Sequence, residues 1–390
     1  MQPLPTDVTD LTVSMRIEQR SLRPDGSWSP IGISPPSNAF DLVLAWGDRT
    51  STDVPSVFAG LRAMYPQASI VIASSSGQIR NDSSIDDEFT ATAIGFDHTR
   101  VLCAEISIES SLQSREAGAS LAARLCAPEL VHVLVVSDGA CVNGADLAAG
   151  MAENLPAGVT MSGGLAGDGV RFERTVVGLD RTPTSGTIVA VGLYGNRLQV
   201  RSGIGGGWEQ FGPERSVTRA AGSVLHALDG QPALELYKQY LGEQAAQLPS
   251  AALRFPLAVQ APGETAPVVR TILSIDEVAR TMTFAGDIPE GSRVSMMRAS
   301  YEDLVDGAEQ AAQACGAEPS PQFALCVSCV GRRIVLGQRI EEEAETVRQV
   351  LGPATFIAGF YSYGELAPVE AGSRCRLHNQ TMTITTFAEI

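Results

Sequence analysis

Two rhythms of apolar residues run along this chain. Short apolar runs mark strands, and stretches whose apolar positions recur about every three to four residues mark amphipathic helices. In the first half they place strands at 41–46, 69–73, 89–96, 101–106, 131–136 and 159–162, with helices at 54–64, 112–126 and 144–155. A further pair of strands is expected at 172–177 and 186–193. Residues 1 to about 38 read as one short strand and a loop rich in Pro, Ser and Gly. The second half opens with an apolar stretch to Leu228. The turn Asp229-Gly230-Gln231-Pro232 then leads into a helix at 233–241, with Pro232 near its first position, where a missing N–H does little harm. Strands are expected at 255–259, 268–275, 281–285, 294–297, 323–329, 355–360 and 381–387, and helices at 301–315 and 341–351.

Strands alternating with helices of this length predict an α/β fold of mixed sheets with helices packed on them. The order strand, strand, helix, strand, helix, strand runs from Phe89 to Ser162 and again from Thr281 to Phe360. Residues correspond as well. Leu134-Val135-Val136-Ser137-Asp138 aligns with Leu325-Cys326-Val327-Ser328-Cys329, and Ser162-Gly163-Gly164-Leu165 aligns with Ala358-Gly359-Phe360-Tyr361. An internal duplication giving two related lobes is therefore expected. The division is an N-terminal segment 1–37, a first domain 38–214 and a second domain 215–390.

Composition supports a globular chain. Its 390 residues are 44% apolar and 18% charged, enough apolar surface for two cores. The formal net charge of -16 argues against a nucleic-acid groove or an anionic membrane surface as partner. Lys238 is the only lysine and lies in an amphipathic helix, which leaves little for Schiff-base or phosphate-loop chemistry. The seven cysteines are odd in number and scattered, unlike a disulfide framework. The first residues show no basic and apolar leader pattern, and no apolar run is long enough to span a membrane, so a cytoplasmic location is expected.

The densest chemistry lies near the C-terminus. The strand from Phe356 runs into Tyr361, Tyr363 and Glu365, and His378-Asn379-Gln380-Thr381 follows. Such groups at a strand end sit where α/β folds gather ligands. In the aligned position of the other lobe, Gly163, Gly164 and Asp168 offer bare backbone and a carboxylate, with Asp138 nearby. The tyrosines would cover an apolar part of a ligand, the carboxylates a donor, and the glycine N–H groups an acceptor.

Other constellations carry less. Gly203 to Trp208 is glycine-rich, but no helix opens after it, so it reads as a strand end and not a dinucleotide loop. Cys326 and Cys329 have the spacing of a zinc or redox half-site, yet residues three apart on a strand face opposite sides. Cys329, beside Arg332 and Arg333, is a candidate activated thiol, which leaves open a thiol-dependent hydrolase or transferase. None of His98, His132, His226 and His378 pairs with another at metal-ligand spacing.

Several motifs in order carry a family resemblance. Ser137 to Asp168, Trp208, Leu228 to Tyr237, Phe284 to Pro289, Gly331-Arg332, Gly359 to Pro368 and His378 to Met382 together resemble the FIST family of paired N- and C-terminal domains. The resemblance covers roughly residues 38–385. It implies a non-enzymatic sensory module of bacterial signal transduction that recognises a small ligand such as an amino acid. Some relatives look like haem-binding nitric-oxide sensors acting on a partner histidine kinase, which would make His378 the haem ligand here. Eukaryotic relatives carry an F-box, for which the N-terminal 38 residues are too short and polar. With no kinase or cyclase fused, the output is expected to pass through a separate protein. The implied ligand site comprises Asp138, Gly163, Gly164, Asp168, Tyr361, Tyr363, Glu365, His378 and Asn379.

Overall fold

One arrangement of strands and helices recurs three times along the chain. The computed structural model describes residues 15–23, 25–32, 39–52, 54–86, 88–248, 250–316, 318–370 and 372–390. The first unit comprises β1 (Met15–Leu22), β2 (Leu42–Gly47), α1 (Pro55–Met64), β3 (Ser69–Ser74), the short β4 (Gln78–Arg80) and β5 (Phe89–Phe96). The second comprises β6 (Arg100–Ser107), α2 (Ser114–Leu125), β7 (Leu130–Ser137), α3 (Gly144–Asn154), β8 (Thr160–Leu165), β9 (Val177–Leu179) and β10 (Thr187–Tyr194). The third begins with β11 (Leu198–Gly205) and resumes at α4 (Tyr301–Ala314) and β12 (Phe323–Cys329). It continues through α5 (Val330–Leu336), α6 (Glu341–Leu351), β13 (Phe356–Ser362), β14 (Gly364–Pro368) and β15 (Cys375–His378) to β16 (Met382–Glu389).

The sheets share one topology. Their orders are β1-β5-β2-β3-β9, β6-β10-β7-β8-β14-β15 and β11-β16-β12-β13-β4, with Trp28–Ile31 and Ser83–Ile85 adding edge strands to the first and third. In each sheet the third and fourth strands run parallel, and the other neighbours along these orders are antiparallel. Each unit also lends a strand to another. The second unit's β9 completes the first sheet, the third unit's β14 the second, and the first unit's β4 the third.

Alternation along the buried strands explains the packing. Leu42, Leu44 and Trp46 of β2, Leu134 and Val136 of β7, and Leu325 and Val327 of β12 meet in one central core. The intervening residues face outward onto helices. Val43 and Ala45 pack with Leu61 of α1, Val133 and Val135 with Leu121 and Leu147 of α2 and α3, and Ala324 and Cys326 with Ala311 and Val347 of α4 and α6. Strands covered on both faces read as continuous apolar runs, which is how they appear in the sequence.

The α/β class and two related lobes are as expected, and the repeat goes further, to a third unit. The expected correspondence holds from the first helix of each run onward. The strands ahead of it do not correspond, because β5 lies in the first sheet and Thr281–Phe284 in a separate eight-stranded sheet. The aligned pairs of the sequence reappear in register, Gly163 beside Val135 and Gly359 beside Cys326. The expected strand at 172–177 begins only at Val177; the residues before it form a loop. Of the expected N-terminal segment, residues 1–14, 24 and 33–37 lie outside the described residues, and β1 pairs with Trp28–Ile31.

The eight-stranded sheet and the helix Ala233–Leu241 form an insertion between β11 and α4, with its own core. Its neck is held by Arg332. This side chain, fully buried, donates to Gly206 O (2.7 Å) at the exit and Leu304 O (2.6 Å) at the return, and it pairs with buried Glu343 (2.6 Å). The glycine run at the end of β11 serves close packing, as a strand end would. A Cβ at Gly205 would lie 1.9 Å from Gly307 O of α4.

Gly163 has φ +140° and sits so close to β7 that a Cβ would meet Val135 O at 1.9 Å. Gly163→Ala is therefore expected to destabilise the fold by roughly 3 kcal/mol or more, through overpacking added to backbone strain. Gly158→Ala, with φ +88° and open space around it, is expected to lose only about 1 kcal/mol. Urea unfolding midpoints of the two variants check this; equal losses would sink the close-approach argument.

Candidate functional site

Parallel strands β7 and β12 end at the same side of the molecule, and the insertion closes over them. Between lies a cleft of about 460 Å³. The body contributes the β7–α3 loop from Gly139 to Gly144, Phe172 and Glu173 from the loop after β8, Cys329 to Gly331 at the β12–α5 junction, and Tyr363. The insertion contributes Leu253, Thr271, Leu273 and Phe284 to Asp287. A crevice beyond the carboxyl ends of parallel strands is where open α/β sheets bind ligands.

The cleft has an aromatic wall and polar points. Tyr363 stacks on Phe172, with centroids 4.7 Å apart and 17° between planes. Thr271 is buried, and its Oγ1 has no hydrogen-bond partner among the described residues. Just behind Leu253 and Gly331 lies Gln380, whose Nε2 donates to Leu253 O (3.1 Å) while its Oε1 has no partner among the described residues.

Of the nine residues expected at the site, Tyr363 lines this cleft and the other eight do not. Asp138 is a loop clamp. Its carboxylate accepts from the N–H groups of Ala140 (2.7 Å), Cys141 (2.7 Å) and Gly186 (2.8 Å). Asp168 does the same for the next loop, accepting from Phe172 (3.0 Å), Glu173 (3.2 Å) and Arg174 (3.0 Å) and from the Tyr363 hydroxyl. Burial opposes its ionisation, yet those donors hold it below the usual carboxylate range. Both carboxylates thus shape segments that line the cleft.

Gly163 and Gly164 lie within β8, paired to β7 and β14. Tyr361 is fully buried in the outer core under α4 and α6, and its hydroxyl approaches Glu343 (3.5 Å). Glu365, also fully buried, accepts from Ser362 Oγ (2.6 Å) and from Thr381 N (3.2 Å) and Oγ1 (2.9 Å). Asn379 is fully buried, and neither of its amide atoms has a hydrogen-bond partner among the described residues. Sequence reasoning did not single out Thr271 or Asp287 as site residues. Asp287 lies in the Phe284–Pro289 run that carries the family resemblance, the one signal pointing to it.

Two expected chemistries meet contrary surroundings. Burial pushes the Cys329 thiol up, opposite to activation, and neighbouring Arg332 is committed to Glu343. His378 is buried with Nε2 hydrogen-bonded to Ala367 O (3.0 Å), and burial drives its pKa down to about 3. A side chain so enclosed does not fit the role of haem ligand. Among the described residues no three or more His, Cys, Asp or Glu side chains converge to hold a metal, and no helix is long and apolar enough to cross a membrane.

A family model described as the FIST N domain matches residues 41–231, and one described as the FIST C domain matches residues 233–368. The cleft is walled by both segments, with Gly139 and Phe172 from the first and Thr271 and Tyr363 from the second. No curated protein gives a significant match.

Burial pushes the Glu365 carboxyl from its ordinary 4.5 up to about 8. A group with a raised native value stabilises the fold fully below its unfolded value, and that stability is lost as pH rises through about 8. Relative to Glu365→Gln, the wild type is expected to lose roughly 3 kcal/mol between about pH 5 and about pH 8. Buried His378 and His132 act oppositely, their contribution being lost as pH falls below 6.5 towards about 3, and they cancel in the comparison. Urea unfolding of both proteins across pH checks it; parallel curves would refute the assignment.

Proposed function

The chain belongs to the FIST family, whose domains are associated with sensory roles in signal transduction, and on that premise we propose a cytoplasmic sensor that binds a small amphiphilic amine, such as an amino acid. The cleft between the two matched segments carries this reading. Phe172, Tyr363, Leu273 and Phe284 offer apolar and aromatic surface to a side chain. The Asp287 carboxylate accepts no hydrogen bond among the described residues and suits an ammonium. Because body and insertion each supply part of the wall, a ligand that touches both stabilises their closed arrangement. That difference in affinity is what a sensor needs to shift a conformational equilibrium. The output passes to a separate signalling protein, with a histidine kinase as the partner class that the resemblance implies.

Thermal-shift and calorimetric titration with the common amino acids is expected to find at least one that binds saturably. Asp287→Asn and Phe172→Ala are each expected to weaken it roughly tenfold, the loss of one charge-assisted bond or one ring contact. Phe172 is 47% exposed, so its replacement leaves the fold intact. Absence of binding by the whole panel, or wild-type affinity in both variants, would overturn the reading.

A further inference from the structure

A second, larger cleft of about 720 Å³ opens on the other side of Asp287, between the α2–α3 face, β15 with the loop before it, and the insertion. At its inner wall is Arg270. The side chain is 7% exposed, and it donates to Leu377 O (3.1 Å), Val269 O (3.3 Å) and, at the limit, Asp287 O (3.5 Å). Among the described residues no carboxylate lies within ion-pair distance of it, although the Asp287 charge is near enough to act on it, and its Nη2 makes no hydrogen bond.

A buried charge is normally paired. The other buried arginine, Arg332, is paired with Glu343. Arg270 instead faces a cavity with a second arginine, Arg376, at its side. Burial and that like charge push its guanidinium down to about 10 against the opposing pull of Asp287, so a bound anion would supply the counter-charge that the fold does not place in contact with it. The remaining charges on the cleft wall are mostly matched. Arg376 pairs with Glu264 (3.0 Å), and Arg115 pairs with Glu153 and with Asp146 (3.7 Å). Asp287 and Glu370 also line the cleft, as does exposed Arg374.

We propose that this cleft is a second ligand site, in which Arg270 takes the carboxylate of a short aliphatic monoacid. The Nε–Nη2 edge of the guanidinium, where Nε is held only by the 3.5 Å contact to Asp287 O, presents two parallel N–H groups that match a carboxylate. The acids along its wall and the net charge of -16 disfavour doubly charged anions. Ala145, Ala148, Ala149 and Ala152 of α3 supply a smooth apolar wall for an alkyl tail. The site differs from the one proposed above in its floor, its charge and its ligand.

Calorimetric titration of the full chain at low salt tests it, with butyrate, butylamine and inorganic phosphate as probes. Butyrate is expected to bind saturably, and butylamine and phosphate at least roughly tenfold more weakly. Arg270→Gln is expected to weaken butyrate roughly tenfold or more. Should that variant fail to fold, Ala149→Phe, which fills the apolar wall from half-buried α3, is expected to do the same with Arg270 intact. Phe172→Ala, in the first cleft, is expected to leave butyrate affinity unchanged, so the two sites fail separately. No butyrate binding by the wild type, phosphate binding as tightly as butyrate, or wild-type affinity in Ala149→Phe would overturn the proposal.

Discussion

A sheet that is apolar on both faces must be covered on both, and every other feature of this chain follows from how it meets that requirement. Three sheets turn one face to a common core, where Trp46, Leu134 and Phe360 meet, and the other face to helices. Burial of this kind is the dominant favourable contribution in folding. It leaves the carboxyl ends of the parallel strands as the places where backbone can turn outward without exposing core. The loops there are clamped by carboxylates such as Asp138 and Asp168, so the body's side of the cleft is preformed.

The insertion is a different kind of object. It carries its own core around Leu225, Leu234 and Met282, and it joins the body through one neck at Arg332. A buried ion pair at such a point contributes little net stability over an apolar pair of similar shape. Its effect is geometric, because Gly206 and Leu304 are held to one guanidinium and the two chain crossings stay together. Both clefts lie against this insertion, so its seating sets the shape of both.

Much of the fold is legible in the sequence, for a physical reason. Strands such as Leu130–Ser137 are buried on both faces and show as unbroken apolar runs, and α6 shows a clear amphipathic period. The strand Glu209–Ala221 is not legible, since Val217 is its one buried residue and no alternation marks it. The first unit escapes notice as a repeat because its first strand is followed by the short strand Trp28–Ile31 and not by a helix. The site is legible only in part. Asp138, Asp168 and Glu365 stand out as polar groups at strand ends, but a carboxylate that ties down backbone N–H groups and one that awaits a ligand look alike in a string of letters. Thr271 and Asp287 reach the cleft through tertiary packing, and only the resemblance touches one of them.

The exchanged strands carry a consequence for synthesis. β4 belongs to the first unit, yet its partner β13 lies more than two hundred residues later in the chain. While the ribosome is still making the middle of the protein, β4 has only the adjacent edge strand Ser83–Ile85 beside it, and β3 waits for β9. Unpaired edges of this sort invite wrong partners. The ring of borrowed strands closes only when the last third of the chain emerges, so the nascent protein spends most of its synthesis with open edges, a window in which a chaperone has the most to do.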